Sequence, residues 1–336
     1  AAMAVIDHGL LARSITRALG LLAVATLAEG ARTARPVGSQ VSVGSEVSVG
    51  PKARTCRHVL VTDEFLPKMQ ASALRATFVS RFAEPRSTAS DRFVWDQWHV
   101  GEQFNLLRTP AEPYFGEEAY AELCSALTAF GQSELGCDTI TPPWLSYYVD
   151  GCSQGLHTDA WHGPFAYVLS LTEWEGRPFT GGETMIMNRQ VLDFWRGHEP
   201  GVAIEQASMF ELVEPKFNRL TVFDPRIPHG VKEVRGTRDP IKARLVLHGW
   251  FTPAESVTFT GSLGAVQAEE ILNGALAPLY EHLGSECARM FGTLNLRATV
   301  GGSGAVEEVR VLADTLVADR AELGAELDEE ELRADV

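Results

Sequence analysis

At 336 residues, 45% of them hydrophobic, the chain is long enough to bury one large core and leave room for a smaller second unit. Its formal net charge of −15 excludes general nucleic-acid binding, which needs a basic footprint. The five cysteines, Cys56, Cys124, Cys137, Cys152 and Cys287, form no Cys-x-x-Cys pair, which argues against a disulfide framework and a zinc ribbon and favours a reducing compartment.

The charge is unevenly spread. From Glu307 onward acids outnumber arginines eleven to three, whereas residues 1–57 carry seven Lys or Arg against Asp7, Glu29 and Glu46. In that first stretch Arg13 and Arg17 precede an apolar run ending at Ala28. This is the layout of a signal or transit peptide; a soluble N-terminal helix in a cytoplasmic protein is the alternative, and the run is too short for a firm transmembrane span. Between Val37 and Pro51 a repeated Val-Ser-Val-Gly reads as a low-complexity linker. Residues 1–57 are therefore expected to be a targeting-like segment and a linker, 58–253 the main folded domain and 254–336 a small appendage.

His58-Val-Leu-Val-Thr reads as the first strand of the folded part. Apolar residues at helical spacing follow over 67–83 (Met69, Leu74, Phe78, Phe82) and 119–130 (Leu123, Leu127, Phe130), two helices expected to buttress a sheet. Strands are then expected over 145–149, with a turn at Asp150-Gly151, and over 165–172. Gly181-Gly182 turns the chain into Thr184-Met-Ile-Met, and further strands run through Leu220–Phe223, around His229 and from Arg244 to Phe251.

His157-Thr158-Asp159 and His229 stand out in this series. Side chains alternate along a strand, so two residues spaced by one point the same way and can share one ion. Two imidazoles and a carboxylate on one face of a metal leave the opposite face open, the facial arrangement of non-haem Fe(II) oxygenases. His-x-Asp alone is common at surface turns; Pro228-His229-Gly230-Val231 and the later Arg244 strand shift the balance to a metal site. His162 sits in a Trp-His-Gly-Pro loop and reads as an entrance or solvent-facing residue rather than a ligand. His248, four residues after Arg244, is either a neighbour of the site or a core histidine.

Over roughly residues 58–252 the chain resembles the Fe(II)/2-oxoglutarate-dependent dioxygenases, in particular the prolyl 4-hydroxylase-like branch. The resemblance implies a mainly β fold with flanking helices around a double-stranded β-helix (jelly-roll, cupin-like) core. His157, Asp159 and His229 match the iron ligands. Arg244, six residues before Trp250, matches the basic partner of the far 2-oxoglutarate carboxylate, and Tyr148 matches a cosubstrate contact. Ser170 stands where the family often carries a tyrosine that binds the cosubstrate, and His248 is a further candidate near it. Implied cofactors are Fe(II), 2-oxoglutarate, O2 and ascorbate as reductant. Implied chemistry is hydroxylation of a C–H bond with release of succinate and CO2, first on a protein or peptide and alternatively on a free amino acid or small molecule. A non-catalytic β-helix interaction module would show broken ligands; desaturation or ring closure would share the same site.

After Pro253, helices are expected over 266–283. Leu294–Val300 and Val306–Leu312, joined by Gly-Gly-Ser-Gly, read as a strand pair in a small α+β appendage, and the acidic end as frayed.

Overall fold

The computed structural model of the protein describes residues 3–4, 59–82, 95–192, 200–202, 209–253, 266, 273, 289–300 and 306–318. Apart from Met3 and Ala4, the targeting-like segment and the linker lie outside the described residues, as do the last acidic residues and, apart from Val266 and Asn273, the helices over 266–283. The chain divides into two compact units, one of residues 57–132 with 137–253, the other of 1–56, 133–136 and 254–336.

The first unit is one curled antiparallel sheet with helices, a jelly-roll-like core. Its strands are β1 (Val59–Thr62), β2 (Asp96–Val100), β3 (Phe104–Pro110), β4 (Thr139–Ile140), β5 (Trp144–Tyr148) and β6 (Ser153–His157), then β7 (Phe165–Ser170), β8 (Thr184–Met187), β9 (Phe210–Val213), β10 (Leu220–Phe223), β11 (His229–Val231) and β12 (Arg244–Thr252). They pair in the order β9-β8-β11-β6-β3-β5-β12-β7-β10-β1, with β2 added beside β3 and β4 beside β12. The helices are α1 (Lys68–Phe82), α2 (Ala111–Phe115), α3 (Glu117–Phe130) and the short α4 (Arg189–Leu192).

Alternation along two central strands sorts the residues of this sheet. β5 pairs with β12, Arg244 opposite Tyr148 and His248 opposite Trp144. Trp144, Tyr148, Arg244, Val246, His248 and Trp250 face an inner cavity. The odd-numbered Tyr147 and Phe251 face the helices instead: the Phe78 ring of α1 lies 6.2 Å from Tyr147, and Phe130 at the end of α3 lies 6.1 Å from Phe251. Phe78 is fully buried, which contributes about 2 kcal/mol by transfer alone. Met69 departs from the expected apolar face of α1. It is 87% exposed, because the buried line of the helix runs through Ala71, Leu74, Arg75 and Phe78.

Two fasteners close the sheet's long connections. Asn218 takes a left-handed backbone (φ 60°) and its side-chain amide exchanges both hydrogen bonds with the backbone of Leu66, at 2.9 and 2.7 Å. Gly181 has φ 75°, and a Cβ there would meet the Glu233 carbonyl oxygen at 1.8 Å, so only glycine fits.

In the second unit the expected strand pair is present as a hairpin of β14 (Leu294–Val300) and β15 (Val306–Asp314). β13 (Arg289–Phe291) pairs with β16 (Val317–Ala318) and with Met3–Ala4 in a separate small sheet.

Candidate metal centre

His157 closes β6, His229 opens β11, and the two are paired directly across the antiparallel ladder. Residues seventy-two apart in sequence thereby bring their rings to 4.4 Å between centroids. Each ring is held the same way: the His157 Nδ1 lies 2.8 Å from the Gly155 carbonyl oxygen and the His229 Nδ1 2.9 Å from that of Ile227. An Nδ1–H donated to a carbonyl fixes the tautomer and leaves the Nε2 lone pair free for a metal. Phe104 stands edge-on to His157 at 4.9 Å and Phe223 to His229 at 4.7 Å, which limits ring rotation.

Both Nε2 atoms are 3.6 Å from the same Asp159 oxygen, Oδ2. One donor atom from each of the three residues falls within 4.8 Å of the others, a spacing a single ion can bridge. Asp159 does not reach this place by strand alternation as the sequence suggests. β6 ends at His157, and a turn carries the carboxylate, with the Asp159 N–H donating to the Pro225 carbonyl at 2.9 Å. Burial opposes ionisation of Asp159, but the two imidazoles outweigh it and hold the carboxyl below the usual carboxylate range.

These residues line a cavity of about 360 Å3 together with Arg244, Tyr148, His248 and His162. Arg244 is 1% exposed; its Nε donates to the Gly182 carbonyl at 2.8 Å and Nη2 to Thr184 Oγ1 at 3.3 Å. Its carbon Cζ sits 4.5 Å above the Tyr148 ring. Nη1 is buried with no hydrogen-bond partner, a donor left for something that enters the cavity. Burial pushes the Tyr148 hydroxyl up to about 12, so it stays a protonated donor, and it lies 3.1 Å from Gln154 Oε1. Burial first, then the neighbouring guanidiniums of Arg244 and Arg108, pushes the His248 imidazole down to about 3. His248 is therefore neutral, and its Nε2 shares a 2.8 Å hydrogen bond with Ser146 Oγ. His162 stacks on Trp250 at 4.1 Å, packing the turn after Asp159 onto the end of β12.

Ser170 corrects an expectation. It is not among the residues lining the cavity; its hydroxyl donates to the Pro215 carbonyl at 2.6 Å and accepts from the Thr172 N–H at 3.1 Å. Placed at the end of β7, it is consumed by the loop beside it. The hydroxyl beside Arg244 is that of Thr184 of β8, which accepts from Nη2 at 3.3 Å.

Sequence reasoning also passed over the β2–β3 hairpin, which brings Trp98 and Arg108 to the cavity. The signal was present as an aromatic and apolar alternation on both sides of Gly101-Glu102-Gln103.

Residues 143–252, the stretch holding the whole His157–Asp159–His229 cluster and Arg244, match the model of the 2OG-Fe(II) oxygenase superfamily. No curated protein matches the chain. Among solved structures, a prolyl-4-hydroxylase from Pseudomonas putida is 22% identical, with 59% of this chain and 93% of that one covered at a TM-score of 0.40. A prolyl hydroxylase from Trichoplax adhaerens, solved with a hypoxia inducible factor peptide fragment, is 13% identical over 58% of this chain and 84% of its own at 0.41. The viral collagen prolyl hydroxylase of Paramecium Bursaria Chlorella virus-1 is 14% identical over 60% and 99% at 0.38. The two imidazoles, the carboxylate and the buried arginine gathered in one cavity all lie inside the stretch, residues 143–252, that matches the 2OG-Fe(II) oxygenase superfamily.

Proposed function

We propose that the protein is an Fe(II)- and 2-oxoglutarate-dependent dioxygenase that hydroxylates a C–H bond of a protein or peptide. The balance is one 2-oxoglutarate and one O2 consumed, one succinate and one CO2 released, and one C–H converted to C–OH. Ascorbate would serve as an external reductant. The observation that carries the reading is the shared cavity: three side chains able to hold one metal ion and a buried guanidinium with one unpaired nitrogen line the same space. The donor set fits the metal: the two Nε2 atoms and one Asp159 oxygen are close enough together to hold one ion, and two imidazoles with a carboxylate are a donor set suited to Fe(II). The spare Nη1 of Arg244 fits a carboxylate, which a planar guanidinium meets through parallel hydrogen bonds.

His157, Asp159 and His229 would hold Fe(II), which supplies the activation of O2 when bound. The chain's own residues do the positioning. Arg244, steadied by Gly182, Thr184 and the Tyr148 ring, fixes the far carboxylate of 2-oxoglutarate. His248, neutral and tied to Ser146, adds no charge that would compete for it. The stack of His162 on Trp250 holds the segment after Asp159 against β12. A free amino acid or small-molecule substrate would use the same machinery. The peptide reading stands on the resemblance of the stretches around His157, His229 and Arg244 to prolyl 4-hydroxylase-like enzymes.

Asp159→Ala tests the centre. The variant is expected to lose Fe(II) binding and succinate release from 2-oxoglutarate while staying folded, because two neutral imidazoles poorly replace a facial carboxylate. Near-normal turnover with stoichiometric iron in Asp159→Ala would reject the assignment.

A further inference from the structure

The cavity contains a second guanidinium for which the reaction described so far has no use. Arg108 of β3 lies between two indoles, its Cζ 4.1 Å from the Trp98 ring centre and 4.3 Å from that of Trp144. Its side chain is only 22% exposed, yet among the described residues it makes no hydrogen bond, and its Nε is sealed from solvent without a partner. The nearest acid is Asp96, 3.6 Å from Nε, itself 65% exposed and beyond hydrogen-bonding distance. Such a contact is heavily screened and does not satisfy the group.

Sheet register says where this charge stands. Arg108 pairs with Ser146, which pairs with Val246, two residues along β12 from Arg244 toward Trp250. Arg108 is thus one row of side chains nearer than Arg244 to the level where His162, three residues past Asp159, packs. The two arginines are not redundant. Arg244 is tethered through Nε and Nη2 and offers one nitrogen, whereas Arg108 is flanked by two indoles and makes no hydrogen bond among the described residues. Clamping a guanidinium between indoles fixes its plane in advance, so little freedom is lost when an anion docks. Charge points the same way. Asp159 and Arg244 offset one another and a divalent metal would offset a dicarboxylate cosubstrate, which leaves Arg108, faced only by the exposed Asp96 outside the cavity lining, as the remaining positive charge of the cavity.

We propose that Arg108, held between Trp98 and Trp144, binds a carboxylate of the primary substrate, so that the substrate is an acid or an acidic peptide. The proposal rests on the oxygenase reading of the site. The carboxylate comes either from the free acid end of a small molecule or from an acidic side chain beside the target residue.

The test uses the full chain loaded with Mn(II) and saturating 2-oxoglutarate, where binding is read without turnover. Two matched probe pairs are titrated, N-acetyl-L-proline against its amide and capped Glu-Pro against capped Gln-Pro. Wild type is expected to favour the acid of at least one pair by roughly tenfold, as a charge-assisted bidentate contact would give. Preference in the first pair identifies a terminal carboxylate, and in the second a side chain. Arg108→Gln should bring the ratio close to one, and Arg108→Lys should fall between, since an ammonium keeps the charge and loses the planar fork. Equal affinity of wild type for both members of each pair, or a preference that survives in Arg108→Gln, overturns the proposal. A protein that binds the acids this way yet releases no succinate from 2-oxoglutarate with Fe(II) overturns the oxygenase reading instead.

Discussion

A guanidinium sunk in an interior keeps its charge only where carbonyls and π faces replace water, and the surroundings of Arg244 supply these on all but one nitrogen. Truncating one partner of such a buried pair typically costs about 2–5 kcal/mol. Arg244→Leu is therefore expected to raise the 2-oxoglutarate concentration for half-maximal succinate release by well over tenfold, and Arg244→Lys by less; an unchanged requirement would point to another anchor. His248 gives a pH prediction. Folding depresses its titration from near 6.5 to about 3, so between these values the unfolded chain binds more protons than the folded one. Its contribution to stability is fully present above about pH 6.5 and declines as pH falls toward 3. In urea unfolding over this window His248→Gln should show a shallower loss of stability on acidification, by at most about 1.4 kcal/mol per pH unit. Parallel slopes for variant and wild type would refute that account.

Turns rather than strands carry the vulnerable geometry among the elements. Gly181 brings the chain round so that the Gly182 carbonyl reaches Arg244, and Glu233 approaches too closely for any side chain. Gly181→Ala should cost more than about 2 kcal/mol, from the positive φ together with the clash. It should also weaken 2-oxoglutarate binding, because the carbonyl that steadies Arg244 moves with the turn; a stability loss in melting curves without that second effect would separate the turn from the site. The strands themselves were legible. β5, β7, β8, β10 and β12 carry β-branched and aromatic runs bounded by turn residues, and the structure has each close to its expected span. β2 and β3 escaped because their polar and charged residues, among them Asp96, Gln97, Asn105 and Arg108, dilute that pattern, and β2 is mostly exposed.

At the scale of the whole molecule, the described residues that line the cavity all fall within Trp98 to Trp250. A chain beginning at Lys52 is accordingly expected to bind Fe(II) and to decarboxylate 2-oxoglutarate at the rate of the full chain, and loss of either would show that residues 1–51 contribute to the core. The candidate cluster was legible from residue types and spacing together with the family resemblance, and the structure brings His157, Asp159, His229 and Arg244 to one cavity. What the one-dimensional pattern could not carry was anything decided by which strands become neighbours. Only pairing of β11 with β6 sets His229 opposite His157, and only the turn anchored at Pro225 swings Asp159 to both rings. The closing of β8 beside β11 presents Thr184, not Ser170, to Arg244. Arg108 was a charged residue on an unread strand until β2, β3 and β5 aligned Trp98 and Trp144 on either side of it. Local sequence determines which backbone and which chemistry each segment brings. Long-range hydrogen-bond register, which depends on residues far apart in the chain, decides which of those side chains meet in the cavity.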